Sequence, residues 1–244
     1  MHLLVNGCSH TAGAELDYPT QGMCYEKAYG AQLAKRLDSS YENLAMSGAS
    51  NHRIVRTTYE WLYKYVSDGK SIKDLFIVVM WPGSYRTEIH FDKNLGWNFD
   101  DKWLPLVVGN DEQYRELFPR TLYNYYRAWT VFTDTTTGVI EYYNSVLNLQ
   151  NLLMRYKINY LFINAVDIPG ALNYEFNLYQ IHINKNNFHH FGDPDKVYTF
   201  HCGQSGKSIS PHSVASGFNS HYDEETHSWY GNYLFDYIKE NELL

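Results

Sequence analysis

The first apolar run of this chain is short, residues 3–5 of MHLLVNGCSHTAG, and it closes at Gly7. Its length and lack of alternation predict a brief buried strand. Over residues 23–37, MCYEKAYGAQLAKRL, the apolar positions move to helical spacing. Met23, Tyr25 or Ala28, Tyr29, Leu33 and Leu37 then share one face. A second short strand is predicted over residues 41–45. Ser50 or Asn51, both good N-cap types, should open a helix carrying Ile54, Val55, Tyr59, Leu62 and Val66 at helical intervals. DLFIVVMW follows, apolar on both faces and bounded by Pro82-Gly83, as a central parallel strand requires.

Residues 83–120 lack a period and are rich in Trp, Gly, Pro and Asp, which predicts an irregular insertion over the sheet edge. Helical spacing returns at 121–133 and 139–156, and INYLFINA gives the next strand. Residues 167–220 read mostly as loop, with VYTF as a candidate strand. A last helix near 224–240 should bury Trp229, Tyr230, Tyr233, Leu234, Tyr237 and Ile238. Strands alternating with helices predict an α/β fold, a three-layer α/β/α sandwich with a mostly parallel central sheet. With no repeat or linker, residues 1–244 form one expected domain with the insertion at about 83–120.

Composition narrows the partners. The 244 residues are 44% hydrophobic and 19% charged, a globular balance, and the formal net charge is -7. That charge, with Lys and Arg scattered, argues against nucleic acid and against an anionic membrane surface. The cysteines Cys8, Cys24 and Cys202 fit no zinc or CxxC spacing and read as free thiols in a reducing compartment. The first apolar run, residues 3–5, is far too short for a signal peptide and no stretch is long enough for a membrane span, so a cytoplasmic location is expected. Aromatic residues are abundant, with 23 Tyr, 12 Phe and 6 Trp. Any single ring reads as ordinary packing, while their density over 81–129 suggests a ligand-facing or partner-facing cap, such as a stacking surface for sugars or bases.

In an open parallel sheet, ligands bind outside the carboxyl ends of the strands. GCSHT, SGASN and WPGSYRTE would lie at three such ends, and NSHYDEETH precedes the last helix at the same edge. A serine needs a base to take its proton, an orienting partner for that base, and N–H donors for the developing oxyanion. Ser9 at a strand-to-helix turn, with Gly48 permitting close approach of the second loop, meets those needs.

The same blocks resemble the SGNH, or GDSL-type, hydrolases, and the likeness extends over essentially the whole chain. GCSHT stands where that superfamily has GDSxT, which implies Ser9 as nucleophile. NLAMSGASN is similar to the second block, which implies Gly48 as an oxyanion donor beside the Ser9 amide. NSHYDEETHSWYGNYLFDYI is similar to the last block running into its helix. The resemblance implies a flavodoxin-like sandwich, ester hydrolysis through a Ser-His relay and no cofactor or metal. In particular it is similar to divergent members encoded by bacteriophages and environmental bacteria, which would allow a virion-associated location.

Cys8 replaces the Asp of GDS, and VVMWPGSYRTE lacks the GxND that supplies an oxyanion Asn. Asn51 or Arg86 could take that place: Asn51 as a donor from the second loop, Arg86 as a clamp on a polar or anionic substrate group. The opposing reading for Arg86 is an exposed loop charge or a salt bridge to Glu88. The C-terminal register has two solutions. His221 lies just before the last helix with Asn219 as its orienting candidate; His227 with Glu224 makes a literal ExxH inside the helix. The expected substrate is a small-molecule or carbohydrate ester, with Trp81 and Arg86 at the substrate. The alternative is a binding or structural protein, such as a phage component, that keeps the fold with a degraded site.

Other motifs carry less. GQSGKSIS has His201 where a phosphate loop needs its first Gly, and Pro211 interrupts any following helix. His182, His189, His190, His201 and His212 form neither HxH nor HExxH. GCSHT is not a GxSxG elbow, and Cys8, beside Ser9, should point the opposite way.

Overall fold

A computed structural model describes residues 1–14, 16, 22–90, 102–166, 168, 171–189, 191, 221 and 223–244. The elements run β1 (His2–Asn6), α1 (Ser9–Ala12), α2 (Tyr29–Arg36), β2 (Ser40–Asn43), α3 (Asn51–Ser67), β3 (Leu75–Trp81), β4 (Arg86–His90) and β5 (Trp103–Val107). They continue with α4 (Asp111–Leu117), α5 (Arg120–Phe132), α6 (Thr135–Arg155), β6 (Asn159–Asn164), α7 (Asn177–Gln180) and α8 (Glu224–Glu240).

Four strands make a parallel sheet in the order β2-β1-β3-β6. Leu3 pairs with Tyr41 on one side and Phe76 on the other, and Val78 pairs with Leu161. Every residue of β3 is buried, as the two-sided apolar run predicts. The pleat sends Leu3, Val5, Phe76, Val78, Met80, Leu161 and Ile163 to the face covered by α2 and α8. Leu4, Ile77, Val79, Trp81, Tyr160 and Phe162 go to the face covered by α3 and α6. Each fully buried side chain of this size contributes roughly 1.5–3 kcal/mol. The three-layer α/β/α sandwich is therefore present, and β1 is the strand from which the chain turns first to one side and then to the other. The crevice outside the carboxyl end of β1 lies at that switch point.

Several element boundaries differ from the sequence reading. Residues 25–27 form a turn, Met23 is exposed, and α2 starts only at Tyr29. The last helix matches the expected bounds, with Asp223 as N-cap accepting the Thr226 amide at 2.9 Å. The segment expected to be irregular contains an antiparallel hairpin, Arg86 opposite Val107 and Glu88 opposite Pro105, followed by α4. Residues 91–101 within it, and VYTF at 197–200, lie outside the described residues. The hairpin has its own small core, in which Leu104 and Leu106 meet Tyr114, Phe118 and Tyr126. Many of the aromatic rings expected at a stacking surface are spent there: Tyr114 stacks on Phe118 at 4.4 Å and meets Tyr126 edge-on at 4.7 Å.

The hairpin is fastened to α3 by charge. Glu88, its side chain only 4% exposed, accepts two bonds from Arg56 at 2.9 Å, and Arg53 approaches to 3.8 Å. Arg56 also lies 4.3 Å over the Trp103 ring. The fork geometry of a guanidinium suits this bidentate, stacked arrangement.

Candidate active site

The turn after β1 is built by two residues that precede Ser9. Asn6 is buried; its Oδ1 accepts the Gly7 amide at 2.8 Å, and its Nδ2 reaches the Ile54 carbonyl and the Thr57 and Thr58 hydroxyls at 2.9–3.2 Å. This fixes the carboxyl end of β1 to α3. At Gly7 a Cβ would fall 2.2 Å from Thr11 Oγ1 and 2.9 Å from the Met80 carbonyl, so only glycine fits. Cys8 then turns into the core with Leu3, Val5 and Tyr29, which removes it as a nucleophile facing the crevice. Ser9 opens α1, 6% exposed, and its carbonyl accepts the Ala14 amide at 3.0 Å.

The second loop is stitched to this turn. Beyond β2 the parallel pairing continues, with the Leu44 amide donating to the Val5 carbonyl and the Met46 amide to the Gly7 carbonyl, at 2.9 and 3.3 Å. Asn43 Nδ2 donates to the Thr11 carbonyl at 2.9 Å while its Oδ1 accepts the Ala45 amide at 2.9 Å. Gly48 then takes φ +76°, a left-handed conformation, beneath Pro105 and Val107 of the hairpin. Ser50 caps α3 by accepting the Arg53 amide at 3.1 Å. Asn51, the first residue of α3, is buried, and its Oδ1 has no hydrogen-bond partner among the described residues. A polar side chain buried in that state costs free energy unless a ligand or water meets it.

The C-terminal residues arrive separately. His221 is half-buried, and its ring centroid lies 4.8 Å from that of His10, the neighbour of Ser9. His227 lies one turn into α8, buried, and its Nδ1 accepts the Tyr29 amide at 3.1 Å. That amide is one of the first donors of α2, which have no acceptor inside their own helix, so His227 acts as a cap across the α2–α8 contact. Burial holds its imidazole far below the ordinary value, at about 3, with nearby His221 adding to the depression and Asp223 opposing it. Glu224 turns away to Lys27, Nζ to Oε2 at 3.2 Å. Asn219 lies outside the described residues.

Trp81, expected at the substrate, is fully buried and meets Phe162 edge-on at 5.2 Å, because the pleat of β3 directs it into the α3–α6 core. Arg86 does not form the pair with Glu88 weighed from the sequence, since Glu88 is held by Arg56 and Arg53. Its Nη1 donates instead to the Ala49 carbonyl at 3.5 Å, a long bond from the hairpin to the Gly48 loop. Among the described residues no group of three or more His, Cys, Asp or Glu is placed to hold a metal, and no helix is long and apolar enough to cross a membrane. His190, His201, His212, Cys202 and the GQSGKSIS segment lie outside the described residues.

Three contributors escape the sequence reading: His10, Asn6 and Asn43. His10 sits inside the quoted GCSHT block, and Asn6 is the polar end of an otherwise apolar run. Asn43 had no visible signal beyond its place before the second loop.

A family model described as a family of unknown function (DUF6071) matches residues 15–206. The chain belongs to that family. Comparison with curated proteins gives no match. Among solved structures, this DUF6071 chain is similar to the acetyl xylan esterase Est2A from the rumen bacterium Butyrivibrio proteoclasticus. The identity is 12% and the TM-score 0.52, over 99% of this chain and 64% of that one. A family two carbohydrate esterase from Clostridium thermocellum matches at 13% identity and a TM-score of 0.49, over 100% and 64%. The psychrotrophic esterase EstA from Pseudoalteromonas sp. matches at 12% and 0.44, over 98% of both chains. The DUF6071 chain thus spans under two thirds of the two carbohydrate esterases, and identities this low speak for fold alone. The fold is that of the SGNH, or GDSL-type, hydrolases.

Proposed function

We propose that the chain is a serine esterase of the SGNH type acting on a small-molecule or carbohydrate ester. The observation that carries the reading is the contact of His221 with His10. It brings a histidine from just before α8 onto the turn that presents Ser9, across more than two hundred residues of chain. The stitched loops add the amides of Ser9 and Gly48, and the buried side chain of Asn51 at the start of α3 brings an Nδ2 donor to the same loop.

In this reading Ser9 Oγ attacks the ester carbonyl while His221 takes its proton. The two amides and Asn51 Nδ2 hold the tetrahedral oxyanion, with Asn51 standing in for the Asn that the third block lacks. His221 returns the proton to the leaving alcohol as the ester C–O bond breaks. A water, deprotonated by the same imidazole, then attacks the acyl-serine and releases the acid. The sequence offers Asn219 as the partner that would orient His221, and Arg86 serves a polar group of the substrate from the hairpin. His227 keeps its capping role, because using it as the base would strip the Tyr29 amide of its acceptor. A sugar-borne acyl group suits this polar crevice, and the acetyl xylan esterase that shares the fold is consistent with it.

The test is labelling with a fluorophosphonate and mass-spectrometric location of the adduct, with Ser9→Ala and His221→Ala alongside. An adduct on Ser9 that disappears in both variants supports the relay. A folded protein that gives no adduct overturns it and favours a binding protein on the same fold.

A further inference from the structure

The flank of the sheet formed by α3 and α6 carries a polar groove apart from the Ser9 crevice. Two hollows of about 400 and 580 Å³ adjoin there, sharing Tyr59, Asn144 and Asn148. The groove begins at His52, next to Asn51, and ends at Arg155 on the last turn of α6. From Asn144 to Arg155 it follows α6 for ~16 Å.

Its lining is unusual for a solvated helix face. Asn144, Asn148 and Asn151 recur four and three positions apart, so they stand on one exposed stripe. Asparagine is a poor helix former, and solvated helix faces are ordinarily filled with Lys, Glu and Arg. Over its 21 residues α6 has only Glu141 and Arg155 as charged side chains, and no carboxylate lines either hollow. Tyr59 donates its hydroxyl to Asn148 Oδ1 at 2.6 Å, which fixes that amide and leaves its Nδ2 donors open. The exposed Tyr59 ring stands beside the amide row. Neutral amides that both donate and accept, next to an aromatic ring and between two guanidinium groups, Arg56 and Arg155, are complementary to the hydroxyls and apolar faces of pyranose rings.

We propose that this groove binds a stretch of an oligosaccharide chain, as a site separate from the Ser9 crevice. The inference does not depend on ester hydrolysis. In the esterase reading it would hold the polysaccharide that bears the acyl group, since the groove starts beside Asn51.

The experiment is a 15N NMR titration of the full-length Ser9→Ala protein with xylohexaose, cellohexaose and mannohexaose, none of them acylated. Saturable shifts of the Asn144, Asn148 and Asn151 side-chain amides are expected with at least one sugar. An Asn148→Ala/Asn151→Ala variant should bind at least tenfold more weakly while keeping its helical circular dichroism, since alanine raises helix propensity. The proposal is overturned by the absence of saturable shifts with all three sugars, by undiminished binding in the double variant, or by shifts confined to residues around Ser9. Concentration-dependent broadening of the groove amides without sugar would assign the face to self-association and equally overturn it. Because the probes carry no ester, a missing fluorophosphonate adduct and a missing titration are separate failures.

Discussion

The Tyr29 amide donates to Nδ1 of His227 at 3.1 Å, linking the first turn of α2 to the first turns of α8. The bond requires a neutral imidazole, and burial supplies one by depressing its pKa to about 3 from 6.5. Between those values the unfolded chain binds the proton that the folded chain refuses. Stability is therefore fullest above the unfolded value and falls as pH drops toward 3, at about 1.4 kcal/mol per pH unit. Urea unfolding should show a loss of about 2 kcal/mol between about pH 6.5 and 5. Burial also depresses His2, in the same direction, so the comparison with His227→Asn isolates the effect. That variant keeps an acceptor for Tyr29 and should flatten most of the slope. An unchanged slope would contradict the assignment of His227 as a neutral cap.

Gly7 is constrained by contact on two sides. A Cβ there would lie 2.2 Å from Thr11 Oγ1 and 2.9 Å from the Met80 carbonyl, and the second of these is backbone of the central strand. Gly7→Ala should therefore cost about 2 kcal/mol or more by forcing β1 and β3 apart at the crevice. Thr11→Ala added to it should restore only part, because the Met80 carbonyl cannot move independently. Full recovery in the double variant, measured by chemical denaturation, would place the strain on Thr11 alone.

The sheet was legible because its strands are short, apolar runs between glycine, proline and asparagine, and α8 because its aromatic spacing is regular. What was not legible depends on partners distant in sequence. Residues 23–28 have helical spacing, yet α2 begins at Tyr29, where an amide finds its acceptor on His227 almost two hundred residues away. The hairpin of β4 and β5 was hidden because Glu88 points to Arg56 rather than to its near neighbour Arg86. Trp81 illustrates the limit of composition: its place in an aromatic-rich stretch suggested a stacking surface, while the pleat of β3 sends it inward. Within the candidate site, the places of Ser9, Gly48 and Asn51 in the segments after β1 and β2 could be read from the sequence, while their proposed roles await the labelling test. The contact of His10 could not, because it exists only when residue 221 is brought beside it.

Glu88 joins the hairpin to α3, and its removal should be felt at the Gly48 loop. Glu88→Ala leaves Arg53 and Arg56, both largely covered, without their shared carboxylate, at a cost of about 3 kcal/mol. Pro105 and Val107 lie against Gly48, so undocking the hairpin uncovers that loop. Limited proteolysis should then cut within residues 86–110 faster in the variant than in the parent. Equal cutting rates would mean that the Leu104–Tyr126 cluster holds the hairpin without help from α3.

His10 is expected to act by position. Its ring is tilted 52° to that of His221 with centroids 4.8 Å apart, and it is itself almost fully buried. Removing the ring opens space beside His221 and loosens the imidazole proposed to take the Ser9 proton. His10→Ala should slow fluorophosphonate labelling of Ser9 about ten- to a hundredfold, the scale on which small misplacements of a catalytic group act. His10→Phe restores a flat ring of similar extent without ring nitrogens and should recover most of the rate. Recovery with phenylalanine identifies packing as the contribution of His10. If His10→Phe is as slow as His10→Ala, the imidazole nitrogens of His10 are needed, and a positioning role by ring contact is refuted.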